Sequence, residues 1–65
     1  MKFVDLIGMD VVIKFRDDNS YIANVIDFDN EEKSLHVMVY ENYATKKFRD
    51  YKIIKLRDIV EIEPM

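Results

Sequence analysis

Apolar and polar residues alternate along most of this chain, and the main exception comes first. Phe3, Leu6 and Ile7 lie at helical spacing with Gly8 where a helix would stop, which predicts a short N-terminal helix of about two turns. From Met9 the period falls to two. Val11, Ile13 and Phe15 alternate with Asp10, Lys14 and Arg16, the pattern of a strand buried on one face, and Val12 adds partial cover on the other. Asp17-Asp18-Asn19-Ser20 is a turn by composition, because short Asx side chains tolerate left-handed backbone and bond nearby amides. A second strand from Tyr21 to about Phe28 is apolar on both faces, so it is either central or sharply bent between two layers.

After the polar turn from Asp29 to Lys33, Leu35, Val37 and Val39 alternate with His36, Met38 and Tyr40 as a third strand. A polar loop, Glu41 to about Lys46, precedes a fourth strand, Phe48 to Ile54, which is dense in Lys and Arg. Leu56 and Ile59 then stand three apart, the spacing of one tight helical turn before a last strand from Ile59 to Glu63. Meandering strands of this length predict a mainly β fold, an SH3-like five-stranded small barrel with a short N-terminal helix. Closing the sheet would also reduce the exposure of its edges. A loose three-stranded sheet with two helices is the alternative.

Composition narrows the class. With 65 residues, 49% hydrophobic and 35% charged, the chain is one small domain, too apolar to stay disordered. It has no Cys, which excludes disulfides, thiolate metal sites and thiol nucleophiles, and a reducing compartment suits it. A domain this short buries only about 60% of its unfolded surface. Marginal stability is the consequence, and burial shared between copies is an expected remedy. No apolar run approaches the roughly 20 residues that span a bilayer. The segment MKFVDLIGMD lacks the apolar core and cleavage site of a signal peptide, so the expected location is cytoplasmic, without membrane attachment.

The run from Leu6 to Asp29, LIGMDVVIKFRDDNSYIANVIDFD, resembles the first signature motif of the Sm-like (Lsm and Hfq) family. Leu6, Gly8, Val11, Ile13, Phe15, Asp17, Tyr21, Val25, Phe28 and Asp29 stand at matching positions without a gap. Asp18 replaces the motif's turn Gly, and Ala23 replaces the Gly that eases the bend of strand two. Ile54 to Ile62 is similar to the second motif, Ile-Arg-Gly-x-x-Val-x-x-Ile, with Lys55 for the Arg and Leu56 for the Gly. The resemblance covers about half the chain. It implies an Sm-like barrel, a ring in which strand four of one copy pairs with strand five of the next, and RNA as ligand. The family's pocket Asn falls here on Lys33, or on Ser34 if one residue is inserted.

Charge adds a second pointer to polyanions. Residues 46–57, KKFRDYKIIKLR, carry six basic residues against one Asp, a local +5 that leaves −8 for the rest of a chain whose total is −3. Cations interleaved with Phe48 and Tyr51 suit single-stranded nucleic acid, with cations tracking phosphates and rings stacking on bases. The same run also suits a solvated edge strand protected by its lysines, or a protein-binding face. Lys or Arg on strand four could also meet Glu61 and Glu63 on strand five of a neighbouring copy.

Catalytic and metal chemistry finds little material. His36 is the lone histidine, and no Ser or Thr stands with a base and an acid in a recognisable order. Asp27, Asp29 and Glu31 resemble the opening of a calcium loop, but Glu32 and Met38 occupy the positions that need Gly and a bidentate Glu. Tyr40 and Tyr43 read as hairpin-packing aromatics. The sequence therefore points to a non-enzymatic module without cofactors, binding RNA or single-stranded nucleic acid as a homo-oligomer. The expected contacts are Lys33, Ser34, Lys46, Lys47, Arg49, Lys52, Lys55 and Arg57. The competing reading is a protein-interaction or scaffolding barrel that has lost the RNA pocket, favoured by the net acidity and the missing Asn and Gly.

Overall fold

Each alternating segment of the sequence forms a strand in the computed structural model, which describes residues 2–65. In chain order these are β1 (Asp10–Phe15), β2 (Ser20–Asp29), β3 (Ser34–Asn42), β4 (Lys47–Lys55) and β5 (Ile59–Pro64). One 3-10 turn, Phe3–Leu6, precedes β1, and another, Leu56–Asp58, sits between β4 and β5. All pairings are antiparallel, in the spatial order β4-β3-β2-β1-β5. The doubly apolar β2 is thus the central strand, one of the two options its pattern allowed. No helix among the described residues is long and apolar enough to cross a membrane.

Register explains the core. Val11 pairs with Ala23, which pairs with Val39, while Val25 pairs with Val37, and Ile13 with Ile62. These residues therefore share one face, and with Leu6, Leu35 and Ile54 most of them are buried. Ala23 is fully buried among them, so a larger side chain has no space there. A bulge between Val25 and Asp27 displaces Ile26, leaving it 43% exposed on the central strand. β4 and β5 do not pair with each other, so the sheet has two open edges and is not closed.

The N-terminal helix is shorter than its spacing predicts. Only four residues form it, through i to i+3 bonds such as the amide of Ile7 to the carbonyl of Val4. Ile7 already has extended ψ, and Gly8 adopts φ +88, a conformation that ends a helix. The chain then docks on β2, with the amide of Gly8 donating to the carbonyl of Val25 at 2.7 Å and the amide of Val25 donating to Met9 at 2.9 Å. At the β1–β2 turn, Asp18 takes the left-handed conformation that glycine would otherwise supply, with φ +70. Asp17 braces that turn by accepting bonds from Asn19.

Candidate nucleic-acid interface

The basic run of the sequence becomes β4, an edge strand, and its alternation is interrupted. Val39 pairs with Asp50 but Tyr40 with Phe48, so Arg49 is the extra residue of a bulge. Arg49 thereby turns toward β2, with its guanidinium carbon 5.3 Å from the centre of the Tyr21 ring. Lys52, opposite Val37 on the core side of the sheet, brings its ammonium to 5.8 Å from the same ring. Tyr21 is held from behind by Phe15, edge to face at 5.2 Å. An aromatic ring flanked by two cations in this way combines the two groups that hold single strands.

This ring opens on a cleft of about 430 Å³ between β4 and the β1–β2 turn, lined by Phe15, Arg16, Tyr21, Lys52, Lys55 and Asp58 among others. Arg16 was not among the residues expected from sequence. Its Nε donates to the carbonyl of Arg57 at 2.6 Å and its amide to the carbonyl of Asp58 at 3.2 Å, which pins the hairpin to the second 3-10 turn. Those partners lie more than 40 residues away, so local pattern carried no sign of them.

Beyond Lys55 a second cleft, about 420 Å³, is lined by Glu32, Lys33, Lys55 and Arg57. Lys33 is held in left-handed backbone, φ +50, and its carbonyl accepts the amide of Leu56 at 2.9 Å. That bond joins the β2–β3 turn to the second 3-10 turn and so places Lys33 beside Arg57. Lys55 reaches the Glu32 carboxylate at 3.4 Å. Ser34, opposite Lys55 in the β3–β4 register, is only 2% exposed and presents no surface to a ligand.

Lys46 and Lys47 do not join this group. They stand at the other end of β4, where Lys47 pairs with Glu41 at 2.9 Å and Lys46 with Asp10 at 3.3 Å. The Lys46 ammonium also sits 3.5 Å from the centre of the Tyr43 ring. Tyr43, the carboxylate of Asp10 and the ring of Tyr40 surround it, and the contact with Tyr43 is the main cause raising its pKa. Tyr40 and Tyr43 pack edge to face, and Phe48 stacks on Tyr40. The expected eight contacts therefore divide: Lys33, Lys52, Lys55 and Arg57 line the two clefts, Arg49 lies over the Tyr21 ring, Ser34 is covered, and Lys46 and Lys47 serve a separate aromatic and acidic cluster.

On the outer surface of the sheet, Tyr51 and Ile53 lie beside His36, whose Nδ1 is hydrogen-bonded to the Tyr51 hydroxyl. At the opposite edge, Glu61 and Glu63 project from β5 near Lys14, and a hydrogen bond shared with Glu61, with the repulsion of its charge, raises the pKa of Glu63. No protein-family model, curated protein or solved structure matches the chain.

Proposed function

We propose that this chain is a non-enzymatic module that binds RNA or other single-stranded nucleic acid, built as an SH3-like, Sm-like small barrel and acting as a homo-oligomer. The observation that carries the reading is the Tyr21 ring flanked by Arg49 and Lys52 at the open side of the sheet, in a cleft shared with Arg16 and Lys55. Arg49 and Lys52, which lie over the ring in the free protein, move onto phosphates and free its face for a base. Lys52 and Lys55 pair with Asp50 and Glu32, but their side chains are 38% and 43% exposed. Exposed pairs of this kind contribute about 0–1 kcal/mol, so phosphate oxygens can replace the carboxylates at little cost.

Assembly uses the two open edges. β4 carries Lys47, Arg49, Lys52 and Lys55 against Asp50, whereas β5 carries Glu61 and Glu63 and no base. Joining β4 of one copy to β5 of the next satisfies both rows of unpaired backbone groups and covers Val60, which is exposed.

A titration of labelled oligouridylate and oligoadenylate at two salt concentrations tests the function. Affinity should fall steeply as salt rises, and the paired change Arg49→Ala with Lys52→Ala should abolish most of it. Absence of binding at low salt, or affinity indifferent to that double change, rejects the reading. A protein-binding scaffold is then the better account, supported by Phe48, Tyr51 and Ile53, all exposed on one edge strand.

A further inference from the structure

The two clefts described above are not isolated. A third, about 600 Å³, lies beside the N-terminal 3-10 turn, where Phe3 and Phe28 stack at 5.6 Å with their planes 25° apart and Leu56, Lys2 and Lys33 close the sides. Lys55 lines both the Tyr21 cleft and the middle one, and Lys33 lines both the middle one and the Phe3–Phe28 cleft. The three therefore form one path, aromatic at each end and cationic in the middle.

We infer that this path holds one strand of nucleic acid, and that Phe3 and Phe28 form a second base-stacking subsite at its far end. The inference rests on the nucleic-acid reading above and extends it from a single ring to a directional track. Charge supports this occupant. Arg16, Lys52, Lys55, Lys33, Arg57 and Lys2 line the path, six of the ten basic residues of the chain, against the carboxylates of Asp17, Asp58 and Glu32. The path is thus +3 on a protein whose total is −3, which leaves −6 on the remaining surface to repel a polyanion from other approaches. A neutral apolar ligand would use the Phe3–Phe28 cleft without the cations, and a small anion would use the cations without the rings. Only a ligand that alternates flat apolar groups with anionic linkers uses both. Site sizes of small-barrel binders start at about four nucleotides, so a strand of that length or more is the expected occupant.

Octauridylate and a uridine dinucleotide, added separately to isotope-labelled protein, distinguish the outcomes by NMR. The track requires octauridylate to shift resonances of Tyr21 and Arg49 together with those of Phe3, Phe28 and Lys33. The dinucleotide should fill the subsites independently and bind more weakly. Phe3→Leu, which keeps an apolar contact with Phe28, should weaken octauridylate binding about tenfold, the effect of one stacked base, while leaving the melting temperature near that of the parent. Octauridylate shifts confined to the Tyr21 end, with Phe3→Leu binding as the parent does, would overturn the track and leave the nucleic-acid function standing. Absence of shifts at both ends would overturn both.

Discussion

The hydroxyl of Tyr40 on β3 donates a 2.7 Å hydrogen bond to the carboxylate of Asp10 on β1, passing across the central strand β2. Asn24, on β2 between them, donates to the same carboxylate at 3.0 Å and to the carbonyl of Gly8 at 3.2 Å. One carboxylate thus ties three strands and the N-terminal segment together. The Tyr40 hydroxyl is the main reason that the pKa of Asp10 is lowered, and the same bond is the main reason that the pKa of Tyr40 is raised.

This pair gives stability a dependence on pH at both ends. Lowered in the folded state, the Asp10 carboxyl stabilises fully above its ordinary value of 3.8 and loses that contribution as pH falls through the lower folded value. Raised in the folded state, the Tyr40 phenol stabilises fully below its ordinary value of 10.0 and loses that contribution as pH rises through the higher folded value. Tyr40→Phe should cost about 1 kcal/mol at neutral pH, because the pair is only partly buried. Urea unfolding from acid to alkaline pH should show the difference between variant and parent shrinking at both extremes.

Lys33→Gly should separate stability from binding. A left-handed φ of +50 costs a lysine more than it costs glycine, and the freer unfolded chain of glycine takes back only part of that gain. A net gain of about 0.5 kcal/mol follows, read as a melting temperature higher by about 2–4 °C. The salt dependence of octauridylate affinity should lose about one unit of slope, the loss of one phosphate contact. A variant that is less stable than the parent would show that the Lys33 side chain, through its 2.9 Å bond to Asn30, matters more to the turn than its backbone does.

Neighbouring residues of β4 should differ severalfold in the cost of truncation. Ile54 is 6% exposed and pairs with fully buried Leu35, while Ile53 is 58% exposed beside His36. Ile54→Ala should destabilise by about 3 kcal/mol, and Ile53→Ala by no more than about 0.5 kcal/mol in dilute protein. Urea midpoints measured at low and at high protein concentration separate folding from association. A cost of Ile53→Ala that grows with concentration identifies Ile53 as part of the contact between copies.

Charge reversal at β5 should dissolve the proposed β4–β5 assembly without unfolding the chain. Glu61→Lys together with Glu63→Lys places cations opposite the basic β4 of a neighbour, and light scattering should then report monomer where the parent is oligomeric. Acid should act in the same direction. Glu63 is easier to protonate than an ordinary glutamate because it shares a hydrogen bond with Glu61 and faces its charge, so its own charge begins to be lost at higher pH than that of a free glutamate. A parent protein that is monomeric at micromolar concentration and neutral pH rejects the assembly outright.

Five strands, the turns between them and the second 3-10 turn were legible in the sequence because each is set by local pattern. Alternation at Val11, Ile13 and Phe15 needs only a sheet with one buried face, and the Asx-rich turn forms over residues 16–19, one residue ahead of the 17–20 that its composition predicts. The N-terminal helix was less legible. Helical spacing at Phe3, Leu6 and Ile7 could not register that Gly8 and Val25 would exchange the chain from helix to sheet so early. For the candidate site, spacing identified a basic strand but not how it divides. Lys46 and Lys47 look equivalent to Arg49 and Lys52 in sequence, and two register shifts, the bulge at Arg49 and another between Tyr40 and Asn42, separate their surroundings.

What the sequence determined by itself is therefore the one-dimensional content: mainly β, strands of known period, a +5 segment in an acidic chain. Tertiary structure decided which of those charges lie together. Arg16 joins Arg57, Lys33 joins Leu56, and Phe3 joins Phe28 only because sheet curvature and turn geometry bring distant segments to one end of the molecule. Periodicity records whether a side chain faces the core, but the convergence of surface groups depends on long-range register, which no local pattern encodes.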